Sequence, residues 1–131
     1  TIVKNPFTDK LLTKICVGKE LNLIGENKWM IRKINQFNQS NKDKFVYDKS
    51  YSTYSAGILG GRRKDVLNFL SSMIKIFENF NSKQRKENLN MIVFNYVIYN
   101  KFNEDVISGE DLHSKYKKYE NHRKDIYFIH K

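Results

Sequence analysis

The stretch at residues 55–61 constrains the fold of this 131-residue chain more than any other part of its sequence. It reads Ser-Ala-Gly-Ile-Leu-Gly-Gly, an apolar run that ends in two glycines, and a helical pattern begins directly after it. Glycines at a strand end permit a tight turn and let another group come close to the backbone. The sequence therefore predicts a strand, a tight turn and a helix in succession.

The predicted helix at residues 64–80 has apolar residues at the three-and-four spacing of one face, which we expect to lie against a sheet. That face consists of Val66, Leu67, Leu70, Met73, Ile74, Phe77 and Phe80. Asn81 and Gln84 have the spacing of a capping box. They predict a second, largely buried helix over residues 86–100.

The remaining pattern alternates strands with helices, which predicts an α/β fold. A strand is expected at residues 15–18, ended by Gly18 and followed by Glu20, and a last short strand is expected at residues 126–129. Between them, Asn27 is a predicted helix cap. The apolar face of its helix is Met30, Ile34 and Phe37.

Composition favours one domain over residues 1–131, because 40% hydrophobic residues, with aromatics at 14% of the chain, suffice for a single core. No apolar run reaches the roughly 18 residues needed to span a bilayer. Cys16 is the only cysteine, which fits a reducing compartment. We expect a cytoplasmic protein, with membrane association through segments outside this sequence left open.

The net charge of +10 suggests an anionic partner, such as nucleic acid, an anionic lipid or a phosphate-bearing ligand. The excess is mainly dispersed lysine, however, which is typical of a solvated surface and constrains the partner only weakly. The sequence contains neither a P-loop nor a dinucleotide-binding fingerprint. It also contains no recognised nucleic-acid-binding motif, so a nucleic-acid partner is disfavoured.

Five segments in order resemble the second half of the GT-A type of nucleotide-sugar glycosyltransferases. They are Asn5-Pro6-Phe7, Val17-Gly18-Lys19-Glu20, residues 55–61, residues 90–96 and Tyr127-Phe128-Ile129-His130-Lys131. The resemblance implies a partial, Rossmann-like GT-A sheet with packed helices. It also implies that the chain is the carboxy-terminal part of a longer glycosyltransferase domain, without the upstream nucleotide-binding half and its Asp-x-Asp metal motif.

The resemblance and the local chemistry together suggest contacts for each part of the substrates. The candidate donor-sugar contacts are Ser55, Gly57, Gly60, Gly61, Asn90 and Met91. Ser55 stands where the family usually has asparagine, and Asn90 and Met91 stand where it usually has aspartate and glutamine. His130 is the candidate ligand of a divalent metal, Mn or Mg in the complete enzyme. We expect Ser55, Asn90 and His130 to converge on one cleft.

Two arginines at a helix start are unfavourable for the helix dipole unless an anion is near, so Arg62 and Arg63 are candidate phosphate contacts, together with Lys131. Glu20 is the candidate acceptor contact, because α/β ligands gather at strand ends. No catalytic residue is assigned. His113 and His122 lie in polar sequence and are expected to be solvated.

The leading interpretation is therefore a fragment of a hexosyltransferase-like enzyme. The complete enzyme would transfer a sugar from a nucleotide-sugar donor to the hydroxyl of a glycan or another acceptor, whereas this fragment alone is expected to be inactive. Two alternatives remain: a degenerate transferase domain kept for protein contacts, and a small basic nucleic-acid-binding module.

Overall fold

The computed structural model describes residues 2–3, 14–109 and 112–130 and has a mixed α/β fold. In these residues the elements, in chain order, are β1 (Ile15–Leu23), α1 (Lys28–Ser40), β2 (Ser52–Gly60), α2 (Arg63–Glu78), α3 (Ser82–Arg85), α4 (Asn90–Val97) and β3 (Val106–Ile107). The predicted α/β class is confirmed. The Asn5-Pro6-Phe7 segment and Lys131 lie outside the described residues.

The sheet has the order β2-β1-β3, with β1 antiparallel to β2 and parallel to β3. The long β1–β2 pair is interrupted by a bulge. Val17 pairs with Leu59 but the next residue, Gly18, pairs with Ser55, so residues 56–58 of β2 have no opposite partner. Such a bulge bends a strand and redirects its side chains. Gly18 and Glu20 both lie inside β1, which corrects the prediction that the strand ends at Gly18.

Helix α1 forms as the sequence predicts. The side chain of Asn27 accepts a hydrogen bond from the Met30 N–H at 3.1 Å, which caps the helix. Met30, Ile34 and Phe37 are fully buried on its inner face. Here one periodic stripe and one cap were enough to fix both the helix and its orientation.

Helix α2 also forms, and Met73 and Phe77 of its predicted face pack on the core, but the rest of the buried face differs from the prediction. Phe69 is fully buried, whereas Leu67, Leu70 and Ile74 are 49%, 38% and 54% exposed. The helix packs chiefly against α4 rather than on the sheet. Aromatic packing explains the rotation, because the Phe69 ring lies 5.2 Å from the ring of Phe94 in α4 and 5.2 Å from that of Phe102.

The central helix is shorter than predicted. The capping box of Asn81 and Gln84 is present, but it caps only the four-residue α3. Asn88 has a positive φ of 39°, which a right-handed helix does not accommodate, so α4 begins at Asn90. It continues as a single π-helical segment, Ile98–Phe102. As predicted, α4 is largely buried, and it lies on β2.

The last predicted strand, at residues 126–129, is replaced by isolated bridges. Phe128 bridges Ile2 on one side and His113 on the other. Because its two neighbours are single residues rather than a strand, no continuous ladder forms in the described residues there. Ile126 and Ile129 are nevertheless buried and anchor the segment. Nowhere in the described ranges is a helix both long and apolar enough to cross a bilayer.

Candidate functional site

His130 lies against the face of the sheet opposite the hydrophobic core. Successive strand residues point to opposite faces, and Val17 belongs to the core cluster. Its neighbour Gly18 faces the His130 ring, since a Cβ built at Gly18 would come within 2.9 Å of His130 Cε1. The polar patch around His130 is therefore separated from the core by the sheet itself.

Two glycines let the imidazole come this close. A Cβ at Gly18 would also lie 2.8 Å from the Ser55 carbonyl oxygen, and one at Gly57, within the bulge, would lie 3.1 Å from His130 Nε2. Both distances are shorter than ordinary van der Waals contacts. Ser55 completes this patch and is buried, and its Oγ accepts a hydrogen bond from the Gly57 N–H at 3.3 Å. Gly18, Gly57 and Ser55 thus form a platform of small residues, and a histidine of the same chain packs on it.

The His130 ring is held in place but has unused hydrogen-bonding capacity. Its backbone N–H donates to Ser114 Oγ at 2.8 Å, and the residue is only 3% exposed. Both ring nitrogens, Nδ1 and Nε2, are buried without a hydrogen-bond partner in the described part of the chain. Burial, with a smaller contribution from the charge of His113, lowers the pKa of His130 to about 4. The ring is therefore neutral at pH 7, the form in which imidazole binds metals and accepts hydrogen bonds.

His113 is not solvated, which corrects the prediction for this residue. It is 3% exposed, and its Nε2 accepts hydrogen bonds from the N–H groups of Lys19 and Gly109, both at 3.1 Å. Its Nδ1 lies 2.7 Å from the Ser114 carbonyl, to which it donates when Nε2 is an acceptor. His113 thereby joins the carboxy-terminal segment to β1, and its ring lies edge-on to His130 at 5.0 Å. No local sequence pattern signals the contact with β1, because Lys19 is 94 residues away from His113.

A surface turn covers the patch. The Tyr116 ring lies 4.6 Å from the His130 ring, and Lys117 next to it has a positive φ of 56°. Beside this turn, Glu20 lines two small clefts of about 280 and 310 Å³. Burial raises the pKa of Glu20, and the nearby charge of Lys117 offsets this in part. The candidate acceptor residue thus lies next to the His113 segment, in the middle of β1 rather than at its end.

Two of the candidate phosphate contacts, Arg62 and Arg63, lie at the start of α2, and the third, Lys131, lies outside the described residues. Arg62 is engaged by Asp65, with 2.6 Å between Nε and Oδ2, and Arg63 is exposed. Of the two glycines before them, Gly61 has a φ of 152°, which favours glycine. A Cβ at Gly60 would meet only Cys16 Cβ, at 4.0 Å. Gly61 is therefore a turn residue, and the structure gives Gly60 no close neighbour on that side.

Asn90 and Met91 lie elsewhere. Asn90 is exposed and lines a groove between α2 and the α3–α4 connection, and Met91 packs on the core. The residue of α4 that reaches the sheet is Asn95, which is fully buried. Its amide accepts from the Tyr54 N–H and donates to the Tyr54 carbonyl, both at 2.8 Å. The structure thus brings Ser55 and Gly57 together with His130, but it does not bring Asn90 to them.

Known proteins add nothing to this description: no family model, no curated protein and no solved structure shows a significant match to the chain.

Proposed function

We propose that this chain is the carboxy-terminal part of a GT-A-type glycosyltransferase and supplies contacts to the donor's sugar and diphosphate. One observation carries the proposal: a neutral imidazole with two unpartnered nitrogens packs on a glycine-lined strand bulge beside Ser55. A buried polar group without a partner costs about 1–3 kcal/mol. A ligand that provides hydrogen-bonding groups or a metal at His130 would recover this cost.

The patch offers two kinds of contact. Ser55 Oγ and the backbone of the bulge at residues 56–58 provide short polar groups of the kind that bind sugar hydroxyls. His130 can accept a hydrogen bond or bind a metal, while Ser114 holds its backbone in place. A ligand has to reach a ring that is only 3% exposed, so the turn carrying Tyr116 must move aside when it binds.

The divalent metal implied by the resemblance fits this patch only in part. His130 can supply one nitrogen ligand, and the described residues contain no group of three metal-ligating side chains. The other ligands would come from diphosphate oxygens and from the half of the enzyme that carries the Asp-x-Asp motif. When bound, such a metal would neutralise the charge that develops on the departing nucleoside diphosphate.

The experiment is a titration of the chain with uridine diphosphate glucose in the presence of diamagnetic Mg²⁺, followed by nuclear magnetic resonance of the histidine rings. We expect weak, salt-insensitive binding that shifts the His130 signals, and at least about a tenfold loss of affinity in His130→Ala. His122→Ala is the matched control, because His122 is exposed.

Two results would contradict the proposal. Equal affinities of His130→Ala and His122→Ala would show that the patch does not bind the donor. Binding of single-stranded DNA that falls steeply with salt, with no response to the nucleotide sugar, would favour the basic nucleic-acid-binding module instead.

A further inference from the structure

A second feature, distant from His130 in the sequence, is an exposed apolar stripe on α2. Leu67, Leu70 and Ile74 are 49%, 38% and 54% exposed, and their spacing of three and four places them on one helix face. The stripe extends about 10 Å along the helix, as follows from the rise of 1.5 Å per residue. A helix of this length normally buries such a face, so the stripe is a candidate contact surface.

The stripe leads into a groove between α2 and the α3–α4 connection. Its volume is about 400 Å³, and Ile74 belongs to both the stripe and the groove. The apolar part of the groove consists of Phe77, Phe80 and Leu89. Apolar grooves that continue a helical stripe are the surfaces on which amphipathic helices dock.

Gln84 lines the groove and has an unused hydrogen-bond donor beneath the groove surface. The side chain is 2% exposed, and its Oε1 accepts from the Asn81 N–H, which fixes the orientation of the amide. Its Nε2 is buried and has no hydrogen-bond partner in the described residues. Buried amide donors are nearly always paired, so an acceptor from a bound molecule would complete this one.

The side chains around the stripe are mainly basic, which favours an acidic partner. Arg63, Lys64 and Lys75 are exposed on α2, and Arg85 lines the groove. Glu78 is the acid of the groove lining. In a chain of net charge +10, this surface attracts acidic partners.

We propose that the groove binds an acidic amphipathic helix of another polypeptide. The apolar face of that helix covers Leu67, Leu70 and Ile74, and one of its carbonyl or carboxylate oxygens accepts a hydrogen bond from Gln84 Nε2. An anionic lipid surface fits less well, because the donor lies buried within a groove. This inference does not rest on the proposed donor site.

The test uses a synthetic helical peptide of Glu, Ala and Leu, with leucines at i, i+3, i+4 and i+7. Its affinity for the 131-residue chain is measured by fluorescence anisotropy. We expect binding that Ile74→Glu and Gln84→Glu each weaken at least about tenfold. Gln84→Glu keeps the oxygen that the Asn81 N–H needs, but it replaces the donor by a charged oxygen that would itself repel an acidic peptide. The neutral Gln84→Met is therefore measured beside it, and a similar loss of affinity in both variants would attribute the effect to the missing donor. Val46→Glu, at a residue 83% exposed, should bind as the parent does.

Several outcomes would overturn the proposal. An unchanged peptide affinity in Ile74→Glu would overturn it. If Gln84→Glu does not fold, the result for Ile74→Glu alone is sufficient to test the proposal. Equal binding of a scrambled peptide, or of one with Lys in place of Glu, would exclude recognition of an acidic amphipathic face.

Two other outcomes would assign the stripe to a different partner. Ile74-dependent sedimentation with phosphatidylglycerol vesicles, without peptide binding, would reassign the stripe to a membrane. An Ile74-dependent dimer in sedimentation velocity would reassign it to self-association. His130→Ala should not change the affinity for the peptide. The groove proposal and the donor-site proposal can therefore fail independently of each other.

Discussion

The two faces of the sheet are built on different principles. On one face, Val17 joins a core of apolar helices whose aromatic rings pack on one another, as Phe69 does on Phe94. On the other face, Gly18 faces a buried histidine pair, His113 and His130, held by hydrogen bonds from the carboxy-terminal segment. The first face is stabilised mainly by apolar burial, with the Asn95–Tyr54 hydrogen bonds added, whereas on the second face both ring nitrogens of the buried His130 have no hydrogen-bond partner in the described residues. The proposed donor site therefore lies on the second face.

The largest effect is expected in the core. Phe69→Ala should lower the free energy of unfolding by about 3–5 kcal/mol, because the cavity lies between the rings of Phe94 and Phe102. Leu70→Ala, on the exposed side of the same helix, should cost less than about 1 kcal/mol. Urea denaturation gives the free energy of unfolding of both variants. Equal losses would mean that α2 is oriented as its sequence first suggested.

The next effect is the pH dependence of the free energy of unfolding, which His130 should contribute. The pKa of His130 is about 4 in the folded chain, against 6.5 for an unperturbed imidazole. The unfolded chain therefore takes up the proton first as the pH falls. Stability should decrease between about pH 6.5 and pH 4, by up to about 3 kcal/mol, and this contribution should level off below pH 4.

Urea midpoints measured from pH 7.5 to 4.5 test this dependence. His130→Gln should have a shallower decrease than the parent, whereas His122→Gln, at an exposed site, should follow the parent. Parallel curves for all three proteins would show that His130 is not kept neutral by the fold.

A smaller effect should distinguish two glycines of the sheet. Gly18→Ala places a Cβ 2.8 Å from the Ser55 carbonyl and 2.9 Å from His130, so we expect a loss of about 1–3 kcal/mol. Gly60→Ala is the matched control, since its Cβ would meet Cys16 only at 4.0 Å. Thermal unfolding of the two variants gives the comparison. If they unfold at the same temperature, close packing of His130 on the glycine platform is not a constraint.

The same contrast explains how far the sequence could predict the molecule. Asn27 and the stripe Met30, Ile34 and Phe37 act within four turns of one helix, so the cap and the buried face of α1 could be predicted. In α2 the apolar surface is so broad that residue spacing does not identify the buried face. Phe69 is buried because its ring packs on that of Phe94 in α4. Periodicity determines that a helix forms, but contacts distant in sequence determine how it is rotated.

The site depends on distant contacts even more. Local chemistry indicated only that the glycines at residues 55–61 let another group come close to the backbone, and Gly57 was a candidate sugar contact. The neighbour itself, His130, lies more than 70 residues away in the sequence, and its backbone N–H is held by a hydrogen bond to Ser114 Oγ. His113 and Asn95 escaped prediction for the same reason, since each is defined by hydrogen bonds to backbone 94 or 41 residues distant.

The smallest effect is expected at Arg62, outside both faces. Its side chain is 44% exposed and pairs with Asp65 three residues later in sequence, so water screens the pair. Such pairs contribute about 0.2–1 kcal/mol, and we expect Arg62→Ala to lie at the low end of that range. Because Asp65 already neutralises Arg62, the substitution should change the affinity for uridine diphosphate glucose less than His130→Ala does. Calorimetric titration of Arg62→Ala and Arg63→Ala side by side checks this. A larger loss from Arg62→Ala than from His130→Ala would move the diphosphate contacts from the histidine patch to the start of α2.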